Sequence, residues 1–258
     1  MFEKFEIIDN NNITNKKNSS PSICIVYFDD CSLRYNKLEH DSVLCIHCED
    51  PNLTFGFEGF GSECQNFYEN VEKLKAIFKN EYPSIKKIYT VGWCFGSFCA
   101  ILYGSFLSAE KVFACSVLST LDYQKDRELL DQDVRFSDEY LQKVSLIPRF
   151  SGIKYKQISK QLEYIRSVCP DPQKFLRVPD IIIGSGSNDG SSNKTEYFFY
   201  TPMKNEIDLS HRNLVADELS DSNSNVQHHH HFIDYPDEAH HSFSVKNSRE
   251  SIHANIEL

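Results

Sequence analysis

The chain has 258 residues, 40% of them hydrophobic and 13% aromatic, enough to bury the core of one α/β domain. Its 27 basic and 37 acidic side chains leave a net charge of −10, which disfavours a partner built on a phosphate backbone. No apolar run approaches the ~20 residues a bilayer-spanning helix needs, and the opening Met1-Phe2-Glu3-Lys4-Phe5-Glu6 lacks the basic and apolar regions of a signal peptide. These features predict a cytoplasmic globular protein that engages neither nucleic acid nor membrane. Nine cysteines, an odd number, lie mostly in or beside apolar segments and read as small core residues rather than a disulfide framework.

In chain order, residues 9–20 form a polar, Asn-rich loop. Residues 22–28 and 42–47 are apolar runs without polar alternation, the signature of parallel strands covered on both faces. Cys45-Ile46-His47-Cys48 invites a metal reading. A strand, however, turns Cys48 away from Cys45 and His47, and no second Cys/His pair with zinc-finger spacing follows, so core packing is expected and no metal. Residues 67–80 are helical, with Phe67, Val71, Leu74, Ile77 and Phe78 at helix spacing. Residues 86–103 read as strand, tight turn and apolar helix, and 111–118 as a further strand. The segment 122–177 is a helical insertion. Residues 179–186 read as a late strand and 232–235 as a last short one. Between them, 203–231 is polar and ends in His228-His229-His230-His231, which reads as low-complexity loop. Strands alternating with helices predict a single α/β domain over 1–258, with a mostly parallel, doubly wound sheet and helices on both faces.

The turn Gly92-Trp93-Cys94-Phe95-Gly96 carries the chemistry. It is the cysteine form of G-x-S-x-G, the nucleophile elbow of the α/β-hydrolase fold, in which a strained residue sits between a strand and a helix. Cys94 at a helix start would be favoured as a thiolate by unpaired N–H groups and the helix dipole. Such a nucleophile needs a base and a carboxylate to orient that base, and in this fold they follow in the order nucleophile, acid, histidine. Asp189, in the Gly/Ser-rich loop after the expected strand at 179–186, and His241, after the last expected strand, fit that order at separations of 95 and 52 residues. His240 is the rival base. Asp180 and Asp237 are rival acids, the first at a strand start and the second close to His241 in sequence. The backbone N–H of Phe95, with one from the loop around Asp29 and Cys31, would form the oxyanion hole.

These motifs, together with the ending Tyr235-Pro236-Asp237-Glu238-Ala239-His240-His241-Ser242-Phe243, resemble the dienelactone hydrolase (carboxymethylenebutenolidase-like) family over residues 22–118 and 178–245. The resemblance implies Cys94 as nucleophile, Asp189 as acid and His241 as base. It favours His241 over His240 because the family ending is His-Gly-Phe, and it assigns Asp29 to a carboxylate that contacts the thiol. It also implies a small-molecule ester, lactone or thioester substrate and no cofactor. Departures concern the substrate. No arginine lies between Arg34 and Arg127 to hold a substrate carboxylate, Ser242 replaces the glycine, and 122–177 is long. The aromatic residues Phe55, Phe57, Phe60, Trp93, Phe95 and Phe98 suggest an apolar acyl site that prefers neutral esters, unless an inserted arginine such as Arg149 or Arg166 folds over it. The alternative is a catalytically degraded ligand-binding or interaction protein on the same fold. Convergence of Cys94, Asp189 and His241 in one pocket discriminates the two.

Overall fold

A computed structural model describes residues 5–9, 20–28, 38, 40, 42–48, 54–61, 64–146, 158–186, 195–222, 226–233 and 250–256. Its frame is a seven-stranded sheet in the order β1-β3-β2-β6-β7-β8-β9. The strands are β1 (Phe5–Asp9), β2 (Ile23–Phe28), β3 (Val43–Cys48), β6 (Lys87–Trp93), β7 (Lys111–Cys115), β8 (Glu196–Pro202) and β9 (Gln227–Ile233), while β4 (Glu58–Gly61) and β5 (Cys64–Asn66) form a separate antiparallel pair. Only β1 runs antiparallel to its neighbour; the other six strands are parallel. The doubly wound parallel sheet read from the sequence is present.

The apolar runs become strands because both their faces are covered. Every residue of β2 and β3 is buried. Alternate side chains divide between two layers: Val26, Phe28, Leu44, Ile46 and Cys48 pack with the helices α1 (Phe67–Asn80) and α2 (Phe95–Phe106). Ile25, Tyr27, Val43, Cys45, Val91 and Trp93 fill the opposite layer with Ile252 and Ile256. Cys45 and Cys48 therefore lie on opposite faces, as strand alternation requires. Helix α1 starts where its sequence says: the Asn66 side chain accepts from Glu69 N at 3.1 Å and Glu69 returns to Gln65 N at 2.7 Å.

Two expectations fail. The segment expected as a strand over 179–186 is the helix α7 (Val178–Gly186), which follows α3 (Arg127–Gln132), α4 (Asp138–Ser145), α5 (Ile158–Val168) and α6 (Pro172–Phe175). Pro179 sits in its first turn, where a missing N–H costs nothing, and Ile181 and Ile182 are buried in the layer of α2. A short apolar run does not by itself separate helix from strand. The strand after β7 is instead β8, the aromatic run Tyr197-Phe198-Phe199-Tyr200.

Nor is 203–231 a loop. It holds the helix α8 (Glu206–Asp221), capped by the Asn205 side chain on Asp208 N at 3.0 Å, and nearly all of β9. The histidine run forms strand, with three of its four rings stacked on β8. Ring centroids lie 4.7 Å apart for Phe198 and His229, 5.1 Å for Phe199 and His230, and 4.9 Å for Tyr200 and His231.

Candidate active site

Strand order reverses beside β2, which has β3 on one side and β6 on the other. In an open α/β sheet, ligands bind at the C-terminal strand ends at such a point. Cys94 follows the last residue of β6 there and is the N-cap of α2, with φ 51° and ψ −118°. That left-handed φ is rare and costly for a residue with a side chain. The surroundings hold it. Cys94 N donates to Cys115 O at 2.9 Å, and Cys94 O accepts from Ser97 N at 3.0 Å. Ser97 Oγ also donates to Cys94 O and accepts from Leu118 N at 3.1 Å, tying the turn to the loop after β7. A Cβ on Gly92 would lie 2.0 Å from Gly96 O, so the chain can reverse this tightly only with glycine. Phe95 is the first helical residue, and its N–H has no acceptor inside the helix.

Cys94 itself is buried among aromatic residues. Phe55 meets Phe95 at 5.5 Å and Phe98 at 5.7 Å, and Phe95 meets Phe136 at 5.9 Å. Of the other rings expected at an acyl site, Phe57 packs with Phe67 and Phe98, and Trp93 lies in the opposite layer. Asp29, Cys31, Asp189, His240, His241, Asp237 and Arg149 lie outside the described residues. Asp180, a rival acid, is in the first turn of α7 rather than at a strand start, and faces Arg177 at 3.6 Å and Lys125 at 3.9 Å. Burial raises its pKa against the pull of those cations. Arg166 bonds to Asp122 at 3.2 Å.

Beside the elbow lies a buried ionic cluster that the sequence reading missed. Arg135 and Asp133 are each 1% exposed and form a close pair, with Arg135 Nε 2.8 Å from both carboxylate oxygens. Arg135 Nη1 donates to Ser116 O at 3.2 Å and lies 3.6 Å from Asp208 Oδ1. Asp133 Oδ2 accepts from His211 Nε2 at 2.9 Å. The other ring nitrogen, Nδ1, accepts from Ser119 N at 3.2 Å and contacts Ser119 Oγ at 2.7 Å. A backbone N–H aimed at Nδ1 fixes the neutral tautomer with its proton on Nε2.

Charge follows from this geometry. Burial opposes ionisation of Asp133, yet the charge of Arg135 and hydrogen bonds from His211 and Arg135 outweigh it and hold the carboxyl well below the usual range. Burial likewise works against charged Arg135, but Asp133 first, then Cys94, then Asp208 outweigh it and keep the guanidinium protonated. Burial, helped by the charge of Arg135, lowers the pKa of His211 despite the hydrogen bond to Asp133. A cavity of about 430 Å³ opens beside the cluster, between residues 133–135 and 204–207.

No protein family matches the sequence, and no curated protein matches it either. Solved structures share its fold. An S-formylglutathione hydrolase from Staphylococcus aureus superposes with a TM-score of 0.53 at 11% identity, over 97% of this chain and 91% of that one. An α/β hydrolase from a Medee basin deep-sea metagenome library gives 0.52 at 12% identity, over 98% and 94%. A lipase-esterase related protein from Clostridium acetobutylicum gives 0.52 at 11% identity, over 98% and 100%. The chain has the α/β-hydrolase fold.

Proposed function

We propose that the protein is a Cys94-dependent hydrolase of an ester, lactone or thioester, of the dienelactone hydrolase-like kind. The single observation that carries this reading is the backbone of Cys94. A strained, left-handed cysteine follows the strand at the reversal of strand order and is held by Gly92, Ser97 and Cys115. Strain of this sort clusters at active sites. In the proposed reaction His241 takes the thiol proton of Cys94, and the resulting thiolate attacks the carbonyl carbon. The Phe95 N–H stabilises the oxyanion, with a second donor proposed from the Asp29–Cys31 loop. The alcohol or thiol leaves with the proton from His241; a water, deprotonated by His241, then attacks the acyl carbon, and the acid is released as the Cys94 sulfur leaves and regains that proton.

Two carboxylates compete to orient His241. Asp189 is carried by the sequence motif, but its argument required a strand just before it, and those residues are helical. Glu206 follows the C-terminal end of β8, the strand next to β7, and borders the cavity. On the substrate side, Arg135 comes beside the elbow, and its charge is already matched by Asp133 and Asp208. A neutral ester is therefore the preferred substrate, because a substrate carboxylate would have to break that pairing.

Steady-state hydrolysis of p-nitrophenyl acetate tests the proposal. Cys94→Ala and His241→Ala should each lose ~10³-fold or more in kcat/KM, with His240→Ala losing far less. Comparing Asp189→Asn with Glu206→Gln identifies the acid. Undiminished turnover by Cys94→Ala would overturn the reading.

A further inference from the structure

Strand β9 is the outer strand of the sheet and pairs only with β8 among the described residues. Its alternation sends His228, His230 and Phe232 to one face and His229 and His231 to the other. The two faces are occupied differently. His229 and His231 stack on Phe198 and Tyr200. On the opposite face His230 stacks on Phe199, and its edge turns to the next ring of its own strand. His228 Nδ1 and His230 Nε2 lie 3.1 Å apart, while the remaining nitrogen of His230, Nδ1, is buried with no hydrogen-bond partner.

Two imidazole nitrogens at this separation match a chelate. With metal–nitrogen bonds of ~2.0–2.1 Å, nitrogens spanning a right angle lie ~2.8–3.0 Å apart, and those spanning a tetrahedral angle lie ~3.3–3.4 Å apart. The observed 3.1 Å falls between the two. Imidazole pairs suit zinc, nickel and copper. We propose that His228 and His230 chelate a divalent first-row transition-metal ion at the edge of the sheet, with water completing its coordination. Among the described residues no third histidine, cysteine or carboxylate joins them.

Arg212, which stacks over Phe232 on the same face at 4.7 Å, opposes a bound cation and limits its affinity. The elbow strand β6 is three strands from β9, roughly 14 Å at ~4.8 Å per strand, so the ion would act on the stability of the edge and not on the reaction at Cys94.

Calorimetric titration of the full chain with Ni²⁺ at pH 7.5 tests the site. The wild type should bind one ion. The double variant His228→Asn/His230→Asn should weaken that binding by about tenfold or more. The double variant His229→Asn/His231→Asn should keep it. Unchanged binding by the first double variant, or equal losses in both, would overturn the proposal. Should the first variant fail to fold, Cu²⁺ bound to the wild type can be read by electron paramagnetic resonance. Two coordinating imidazole nitrogens support the site, and one or none contradicts it.

Discussion

Two buried structures meet at the C-terminal edge of the sheet, and different forces hold them. At the elbow, backbone geometry does the holding: a left-handed Cys94, a glycine with no room for a methyl group, and hydrogen bonds within a few residues and to the adjacent strand. In the cluster of Ser119, Asp133, Arg135 and His211, charge and hydrogen bonding do it, between residues up to 92 positions apart. The two touch. Arg135 holds Ser116 O, the carbonyl after the one that holds Cys94 N. The difference teaches that a local device and a long-range one can support the same few atoms, and that they should fail differently.

The elbow should fail hardest. Gly92→Ala forces a methyl group against the Gly96 carbonyl, backbone against backbone, and should cost about 4 kcal/mol or more in urea unfolding. A milder loss would mean that the turn can open. Asp133→Ala should come next, because it leaves Arg135 buried beside a single, more distant carboxylate. About 3 kcal/mol is expected, the low end for a broken buried pair, since Asp208 remains 3.6 Å away.

The cluster also predicts a pH response. Folding lowers the pKa of His211, so the unfolded chain takes up that proton first. Its contribution is constant above the unfolded pKa of ~6.5 and is lost as pH falls below it, at up to ~1.4 kcal/mol per pH unit. His211→Gln, which can still accept from Ser119 N and donate to Asp133, should remove that part of the slope in denaturation curves from pH 7 to 5. An unchanged slope would mean His211 is not the group that titrates. The smallest effect belongs to the edge strand. As a loop, the histidine run would tolerate serine freely. As stacked strand, His229→Ser should cost about 0.5 kcal/mol at its half-exposed ring, read as a lower urea midpoint.

What the sequence made legible follows the same division. The elbow is contiguous, so Gly92, Cys94 and Gly96 were readable together with the strand and helix around them. The parallel sheet was readable because β2, β3, β6 and β7 are unbroken apolar runs. The cluster was not, because nothing in sequence joins Ser119 to Asp133 or His211. One signal was available. Ile207, His211, Leu214, Val215, Glu218 and Leu219 recur at helix spacing and mark α8 within the stretch read as loop. Likewise Tyr197-Phe198-Phe199-Tyr200 carries the β propensity of a strand. Reading those two elements moves the strand after β7 from 179–186 to 196–202, and with it the argument for the acid.

If Cys94 is the nucleophile, it forms a covalent acyl intermediate. Intact-mass spectrometry after rapid mixing with p-nitrophenyl acetate, followed by peptide mapping, tests it directly. One acetyl group per chain is expected, located on Cys94, appearing with a burst of nitrophenolate and absent from Cys94→Ala. Acetyl on another residue, or turnover with no acyl-enzyme and no burst, would contradict it.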